Sequence, residues 1–151
     1  MLASIGQLLR AQSTVVLSTV ADDGLPHATP LFYLTGEKME VYWFSSESAL
    51  HSLNLARDNR AGAAIYAPTH IWNEIRGVQL RGNVERISDR ILRREVTHDY
   101  CERFCLGTTF RLTLSQSSLY VFRPSWVRYL DNSRRFGFKC EIDLRKFSEQ
   151  D

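Results

Sequence analysis

Two serines and a histidine surround the point where a strand-like stretch passes into a helix-like stretch. The segment "FSSESALHSLNLARDN" runs from Phe44 to Asn59 and directly follows the alternating "MEVYW", so that Ser45 and Ser46 come one residue later. A helix N-terminus presents unpaired amides and the positive end of a dipole, which suits a phosphate. The two hydroxyls would add donors, and His51 would add charge when protonated. The residues alone leave two interpretations open, an ordinary helix cap and a phosphate-binding site.

Other catalytic patterns are missing from the sequence. It contains no His-Glu-x-x-His helix, no Gly-x-Ser-x-Gly elbow, no P-loop and no dinucleotide fingerprint. Cys101 and Cys105 are four residues apart and would share a helix face, but two thiols do not complete a zinc site. We therefore predict no metal, leave the role of the two cysteines open, and assign no catalytic residue.

The composition limits the classes of function. The chain has 151 residues and a net charge of +2, and we expect one domain over residues 1–151. The small, dispersed charge gives no reason to expect a nucleic-acid partner, and no apolar run is long enough for a membrane span. Three cysteines without a recognisable signal peptide favour reduced thiols and a cytoplasmic location.

The N-terminal half predicts antiparallel hairpins that lead to the serine pair. The stretch "STVVLSTVADDGLPHATPLFYLTGEKMEVYWFSS" contains three alternating runs, separated by the turn-forming "ADDGLP" and "TGEK". We predict a helix from Glu47 to Arg57, with Leu50, Leu53 and Leu55 on its apolar side. The start of the chain, "MLASIGQLLRAQ", is expected to form a short amphipathic helix that covers one end of the fold.

The C-terminal half adds further strands and a longer helix. The runs "AGAAIYA", "IRGVQLRGNVERI", "SLYVFRPSWVRYL" and "CEIDL" indicate strands, with Pro124 as a break. Between them we expect a helix that Ser88 caps and that ends near Gly107. Its apolar stripe comprises Leu92, Val96, Tyr100 and Phe104. The whole pattern predicts a mainly β fold, a small barrel with flanking helices, whose ligand must bind outside it or at a subunit boundary.

Four stretches together resemble the pyridoxamine 5′-phosphate oxidase-like superfamily of FMN-binding split barrels. "LSTVADDGLPHATPLFYL" resembles the opening hairpin, "VYWFSSESALHSLNLARDNRAGAAIY" the third strand, helix and fourth strand, and "IRGVQLRGNVERIS" the long fifth strand. "VFRPSWVRYLDNSRRFGFK" resembles the C-terminal strands of a small uncharacterised bacterial branch with a recurring Asp-Asn-x-x-x-Phe-Gly loop. The order and spacing of the stretches carry the resemblance, which implies an antiparallel split barrel of six or seven strands.

The resemblance also implies a homodimer with FMN at the subunit interface, acting on a small-molecule substrate. Thr29 to Phe32 would run along the flavin ring through their backbone, and Ser45 would bind the phosphate. Gln79 would replace a glutamine expected at Gly77, and Trp126 would border the ring or pack in a core or dimer contact. The implied cofactor-binding residues are Thr29, Pro30, Leu31, Phe32, Phe44, Ser45, Ser46, His51, Gln79 and Trp126.

The sequence departs from the family where the oxidase has its cationic phosphate ligands. Those positions hold Thr29, Leu34, Leu50 and His51. Each lost cation removes a charge-assisted hydrogen bond worth about 1.5–3 kcal/mol. The residues that could compensate from a partner subunit are Arg128, Arg134 and Arg135. The oxidase's substrate signature is also missing, and we do not expect vitamin B6 oxidation.

Three functions are open at this point. The first is a flavin-dependent oxidoreductase that uses FMN, or a deazaflavin in its place. The second is a non-catalytic protein that binds or stores flavin or haem. Its candidate iron ligands are His27, His51, His70 and His98. The third is a barrel that has lost its cofactor and serves as an interaction module.

Overall fold

One antiparallel sheet carries most of the chain in the computed structural model, which describes residues 1–147. Four α-helices flank the sheet within that range. The elements are α1 (Leu2–Ala11), β1 (Thr14–Val20), β2 (Pro26–Phe32), β3 (Leu34–Thr35), β4 (Val41–Ser45), α2 (Leu50–Arg57), β5 (Arg60–Tyr66), β6 (Arg76–Arg86), α3 (Arg90–Arg103), α4 (Thr108–Gln116), β7 (Ser118–Asp131) and β8 (Lys139–Asp143). Single 3-10 turns occupy Trp72–Glu74 and Leu144–Phe147.

The strand order makes the sheet an incompletely closed barrel. The strands follow the order β2-β1-β5-β6-β7-β4-β3, and β8 pairs with β7 beside this path. The end strands β2 and β3 are separated only by Tyr33, yet no pairing between them occurs in the described part of the chain. The predicted mainly β split barrel with flanking helices is therefore confirmed, and the gap lies between β2 and the β3–β4 hairpin.

Alternating apolar residues build the barrel interior. On β1 and β4 the residues Val15, Leu17, Val41 and Trp43 are all buried, while their neighbours along each strand are more exposed. This period of two is what places one face of each strand in the core. Helix α1 covers one end of the barrel, as expected. It is attached there by a hydrogen bond of 2.5 Å, which the hydroxyl of Tyr33 donates to the carbonyl of Leu9.

A bulge allows β7 to continue through a proline. The register between β6 and β7 shifts between Arg81 and Gly82, where Gly82 lies opposite Pro124. A Cβ atom on Gly82 would lie 2.0 Å from the carbonyl oxygen of Arg123. Only glycine permits this close approach of two backbones. The predicted break at Pro124 is thus a bulge inside a single strand.

The helix α2 begins later than its sequence pattern suggests. A turn in which Ala49 N donates to Ser46 O precedes it, and the helix starts at Leu50 rather than Glu47. Its predicted apolar side is also wrong for two residues, because Leu50 and Leu53 are 51% and 53% exposed. Leu55 is buried as predicted. Its buried companions are His51, Ser52 and Asn54.

The helices after β6 differ in two ways from those predicted from the sequence. Helix α3 is capped by Asp89, whose carboxylate accepts from the amides of Ile91 and Leu92, rather than by Ser88. Helix α4 was not predicted, because its sequence "TTFRLTLSQ" has a weak apolar stripe and no side-chain cap. Tertiary packing accounts for it, since Arg93 of α3 donates to the carbonyl of Leu114 at 2.9 Å.

Candidate functional site

The end of β4 and the start of α2 bring Ser45 and His51 into direct contact. Ser45 Oγ lies 2.7 Å from Nε2 of His51. Ser45 is the last residue of β4 and shares the inward face of that strand with Val41 and Trp43. His51 is the second residue of α2 and only 7% exposed. The two side chains therefore meet at the rim of the barrel, beside the gap.

A second polar pair lies on β2, close enough for His27 to influence His51 electrostatically. Thr29 Oγ1 lies 3.0 Å from Nε2 of His27, and both side chains are partly buried. Thr19, the β1 partner of His27, accepts a 3.0 Å hydrogen bond from the Asn54 amide, which anchors α2 beside these strands. We use the name gap cluster for His27 and Thr29 of β2 together with Ser45 and His51.

The gap cluster holds its buried histidine in the neutral form. Burial, and then the electrostatic influence of His27, lower the pKa of His51 from its ordinary value of about 6.5. A neutral imidazole carries one donor and one acceptor nitrogen. Near pH 7 the contact with Ser45 is consequently a neutral hydrogen bond. His51 does not supply the cation that the family resemblance implies at this position.

The first turn of α2 offers unpaired donors next to Ser45. The first amide bonded inside the helix belongs to Leu53, which donates to Ala49. The amides of Leu50, His51 and Ser52 have no acceptor among the described residues. The buried hydroxyl of Ser52 likewise has no hydrogen-bond partner there. Such orphan donors at a helix N-terminus suit an anion.

Strand β2 provides an open backbone edge along the same gap. Within residues 1–147, β2 pairs only with β1, in a register that sets Leu31 against Val15 and Pro30 against Val16. No strand pairs with the other edge of β2 in this range, although the Phe32 carbonyl accepts from the Tyr100 hydroxyl at 3.2 Å. An unpaired strand edge can bind a ligand or another chain. That the flavin ring runs along Thr29, Pro30 and Leu31, as the resemblance implies, stays a prediction.

Other residues implied by the resemblance point elsewhere within one chain. Phe44 lies on the opposite face of β4 from Ser45, and its ring centroid is 5.2 Å from that of Tyr100. Phe32 is 57% exposed and packs on Phe104. Ser46 is exposed, and its hydroxyl accepts from the amide of Ser48. The structure therefore unites Ser45 and His51 but not Phe44 or Ser46 with them.

Gln79 and Trp126 form a separate group on the outer face of β6 and β7. The exposed Gln79 lies opposite Arg128, and Arg81 lies opposite Trp126. The guanidinium carbons of Arg81 and Arg128 are 4.5 and 5.2 Å from the Trp126 ring centroid. The intervening residues of these strands face the core. A single chain consequently does not bring Gln79 or Trp126 to the gap cluster.

Two of the three arginines considered as compensating cations already have partners in their own chain. Arg128 forms a 2.7 Å ion pair with Glu141. Arg134 pairs with the buried Asp131 at 3.2 Å. Arg135 is exposed and forms no ion pair with any described residue. Of these three arginines, Arg135 alone thus has no carboxylate partner within residues 1–147.

Sequence reasoning considered His27 only as a candidate iron ligand and missed its contact with Thr29. That contact could have been found, because His27 lies two residues before Thr29 and therefore shares its strand face. The burial of Ser52 could not, since the pattern placed leucines on the buried side of the helix, and its side chain lines a separate cleft with Val84 and Tyr120. The described residues contain no group of three or more metal-ligating side chains, and the three cysteines are unpaired. A helix capable of traversing a bilayer is not found in residues 1–147.

The fold and the gap cluster define a split barrel with an anion-compatible strand–helix junction. The sequence model for pyridoxamine 5′-phosphate oxidase matches residues 1–131. The chain therefore belongs to the pyridoxamine 5′-phosphate oxidase family, which confirms the superfamily inferred from the sequence.

Relatives and solved structures agree with this assignment. The chain is 25% identical over 138 residues to a "UPF0306 protein" of Klebsiella pneumoniae (strain 342), covering 91% of this chain and 90% of the relative. It resembles the conserved hypothetical protein Rv2991 of Mycobacterium tuberculosis with a TM-score of 0.78 and 20% identity, over 87% and 85% of the two chains. A heme binding protein of Mycobacterium smegmatis gives a TM-score of 0.76 at 23% identity, over 99% of this chain and 60% of that one.

Proposed function

We propose that this protein binds FMN in the gap between β2 and β4–α2 and acts as a flavin-dependent oxidoreductase on a small molecule. The contact of Ser45 with His51, beside the three unpaired amides of α2, is the observation that carries the proposal. The unpaired thiols fit a reducing compartment, which we propose to be the cytoplasm.

The gap fits the phosphate through neutral donors. Ser45 Oγ and the amides of Leu50, His51 and Ser52 would hold it, with the dipole of α2 adding a partial positive charge. Leu50 stands where the resemblance implies a cation, and His51 is neutral near pH 7. Each cation that is missing weakens binding by about 1.5–3 kcal/mol, so we expect weaker affinity for FMN than in the oxidase.

The flavin ring would lie along the free edge of β2, and we propose that a homodimer completes its site. Gln79 and Trp126 lie on the outer face of one chain, away from its own gap, so a partner subunit would have to supply them. A bound flavin supplies the redox chemistry. This chain's residues bind the phosphate, orient the ring and exclude water, and none is assigned a catalytic role.

The test is cofactor retention and uptake by the purified full-length protein. We expect flavin absorbance bands, release of FMN on denaturation, saturable uptake of added FMN by the apoprotein, and a dimer in light scattering. Replacing FMN by a deazaflavin in the titration distinguishes the two ring systems. A colourless dimer that binds neither FMN nor the deazaflavin, and whose melting temperature FMN does not raise, would contradict the proposal and favour an interaction module.

Haem binding is a second candidate because the gap holds two histidines close enough to influence each other electrostatically, His27 and His51. A neutral imidazole is a common iron ligand, and a heme binding protein of Mycobacterium smegmatis shares the fold. Titration with haem should then give a Soret band that is lost in the His27→Ala or the His51→Ala variant. A band retained in both variants would exclude the gap as the haem site.

A further inference from the structure

A cleft lies away from the gap, between α3 and α4. It has a volume of about 820 Å³ and is open to solvent. Arg90, Arg94 and His98 line it from α3, and Arg111 and Ser115 line it from α4. Residues four apart share a helix face. The cleft therefore has a basic ridge on one wall and a guanidinium with a hydroxyl on the other.

A further arginine, Arg93, joins the two walls at the base of the cleft. Its guanidinium donates to the carbonyl oxygens of Leu114 and Ser117, at 2.9 and 2.6 Å. These bonds satisfy the end of α4 and fix its position against α3. The arginines on the two walls are consequently held on a rigid frame, although they belong to different helices.

The remaining guanidiniums have no neutralising partner within residues 1–147. Among the described residues, none of Arg90, Arg94 and Arg111 forms an ion pair or a hydrogen bond with another side chain. Glu95 and Asp99 also line the cleft, but neither pairs with these arginines.

Their placement opposes helix stability. Arg90 is the first residue of α3 and Arg94 follows one turn later, so two like charges are four apart. Both lie at the positive end of the helix dipole, where cations are unfavourable and acidic residues are preferred. The first turn of α3 contains no acidic residue beyond its cap, Asp89. An anion in the cleft would reduce the repulsion between Arg90 and Arg94 and also their repulsion by the helix dipole.

We propose that this cleft binds a phosphorylated small molecule through Arg90, Arg94 and Arg111. Guanidinium groups match phosphate oxygens with paired hydrogen bonds. His98 and Ser115 lie one turn further along their helices and would contact the rest of the ligand. The proposal is independent of flavin binding, because the gap cluster contributes no residue to this cleft.

The test uses inorganic pyrophosphate as the probe, with calorimetry on the full chain at low salt. We expect saturable binding that weakens as salt is raised. The triple variant Arg90→Gln, Arg94→Gln and Arg111→Gln should bind at least about tenfold more weakly, because charge-assisted hydrogen bonds are lost. FMN uptake by this variant should be unchanged.

A matched control removes the same number of positive charges elsewhere. Its substitutions are Arg76→Gln, Lys139→Gln and Lys146→Gln, all at exposed positions outside the cleft. This control should bind pyrophosphate as the wild type does. Equal loss in both triple variants, or no saturable binding by the wild type, would overturn the proposal. A short DNA duplex that binds more tightly than pyrophosphate and depends on the same arginines would also overturn it, in favour of nucleic acid.

Discussion

Ser45 Oγ and His51 Nε2 are 2.7 Å apart, and their contact sets the electrostatic character of the candidate phosphate site. Burial keeps the imidazole neutral near pH 7. A hydroxyl, a neutral ring and the free amides of α2 consequently form the site without a fixed cation. An anion can still bind to such donors, as it does at many helix N-termini, but with less free energy than at a site with lysine or arginine.

The first prediction concerns the Ser45 hydroxyl. Ser45→Ala removes one neutral donor to the phosphate, which is worth about 0.5–1.5 kcal/mol, so FMN affinity should fall about two- to tenfold. Fluorescence titration of the apoprotein with FMN measures this change in affinity. Ser48→Ala is the control, because Ser48 lies in the exposed turn and its side chain bonds, within residues 1–147, to Ser46. If Ser45→Ala and Ser48→Ala bind alike, Ser45 does not contact the phosphate.

The second prediction is a gain of affinity. Leu50→Arg places a cation at an exposed position in the first turn of α2, where the resemblance implies one. A charge-assisted hydrogen bond of about 1.5–3 kcal/mol should raise FMN affinity about ten- to a hundredfold. Leu53→Arg is the control. Leu53 is about as exposed on the same helix, but it follows the three residues whose amides are unpaired. An equal gain in Leu53→Arg would show a general charge effect instead.

The third prediction is a pH dependence of stability caused by His51. Because its pKa is lower in the folded state than in the unfolded state, the unfolded chain binds the proton first as pH falls below about 6.5. The stabilisation is complete above that pH and declines below it, down to the folded-state pKa. Urea unfolding at pH 7.5 and 5.5 should therefore show a smaller pH effect for His51→Gln than for the wild type.

The matched control for this experiment is His70→Gln, since His70 is exposed in the loop between β5 and β6. That variant should lose stability between pH 7.5 and 5.5 as the wild type does. If His51→Gln shows the full wild-type pH effect, His51 is not held neutral by its surroundings.

The fourth prediction tests the bulge between β6 and β7. Gly82→Ala would place a Cβ atom 2.0 Å from the carbonyl oxygen of Arg123, and the resulting shift of backbone should destabilise the fold by at least about 2 kcal/mol. At Gly62, in the neighbouring strand, the nearest atom is 3.7 Å away. Gly62→Ala should change stability by less than about 1 kcal/mol. Equal melting temperatures for the two variants would refute the bulge.

Local patterns predicted most of the strands because they depend on neighbouring residues. The alternation of Met39, Val41 and Trp43 indicates which face of β4 is buried, and the "ADDGLP" turn indicates the first hairpin. Helix α4 and the late start of α2 were not predicted. The former depends on bonds from Arg93, which is 21 residues before Leu114, and the latter on a turn that competes with helix formation.

The sequence by itself determined the mainly β class, the split-barrel family and the importance of the junction at Ser45. Only the tertiary structure decided that His27 influences His51 at this junction, that His51 is buried and neutral, and that Gln79 and Trp126 lie on another surface. The physical reason is that burial and electrostatic interaction depend on residues distant in the sequence, as the bond from Asn54 to Thr19 illustrates. A periodic pattern shows which side chains share a face. The packing of α2 against β1 buries His51 and thereby determines its charge.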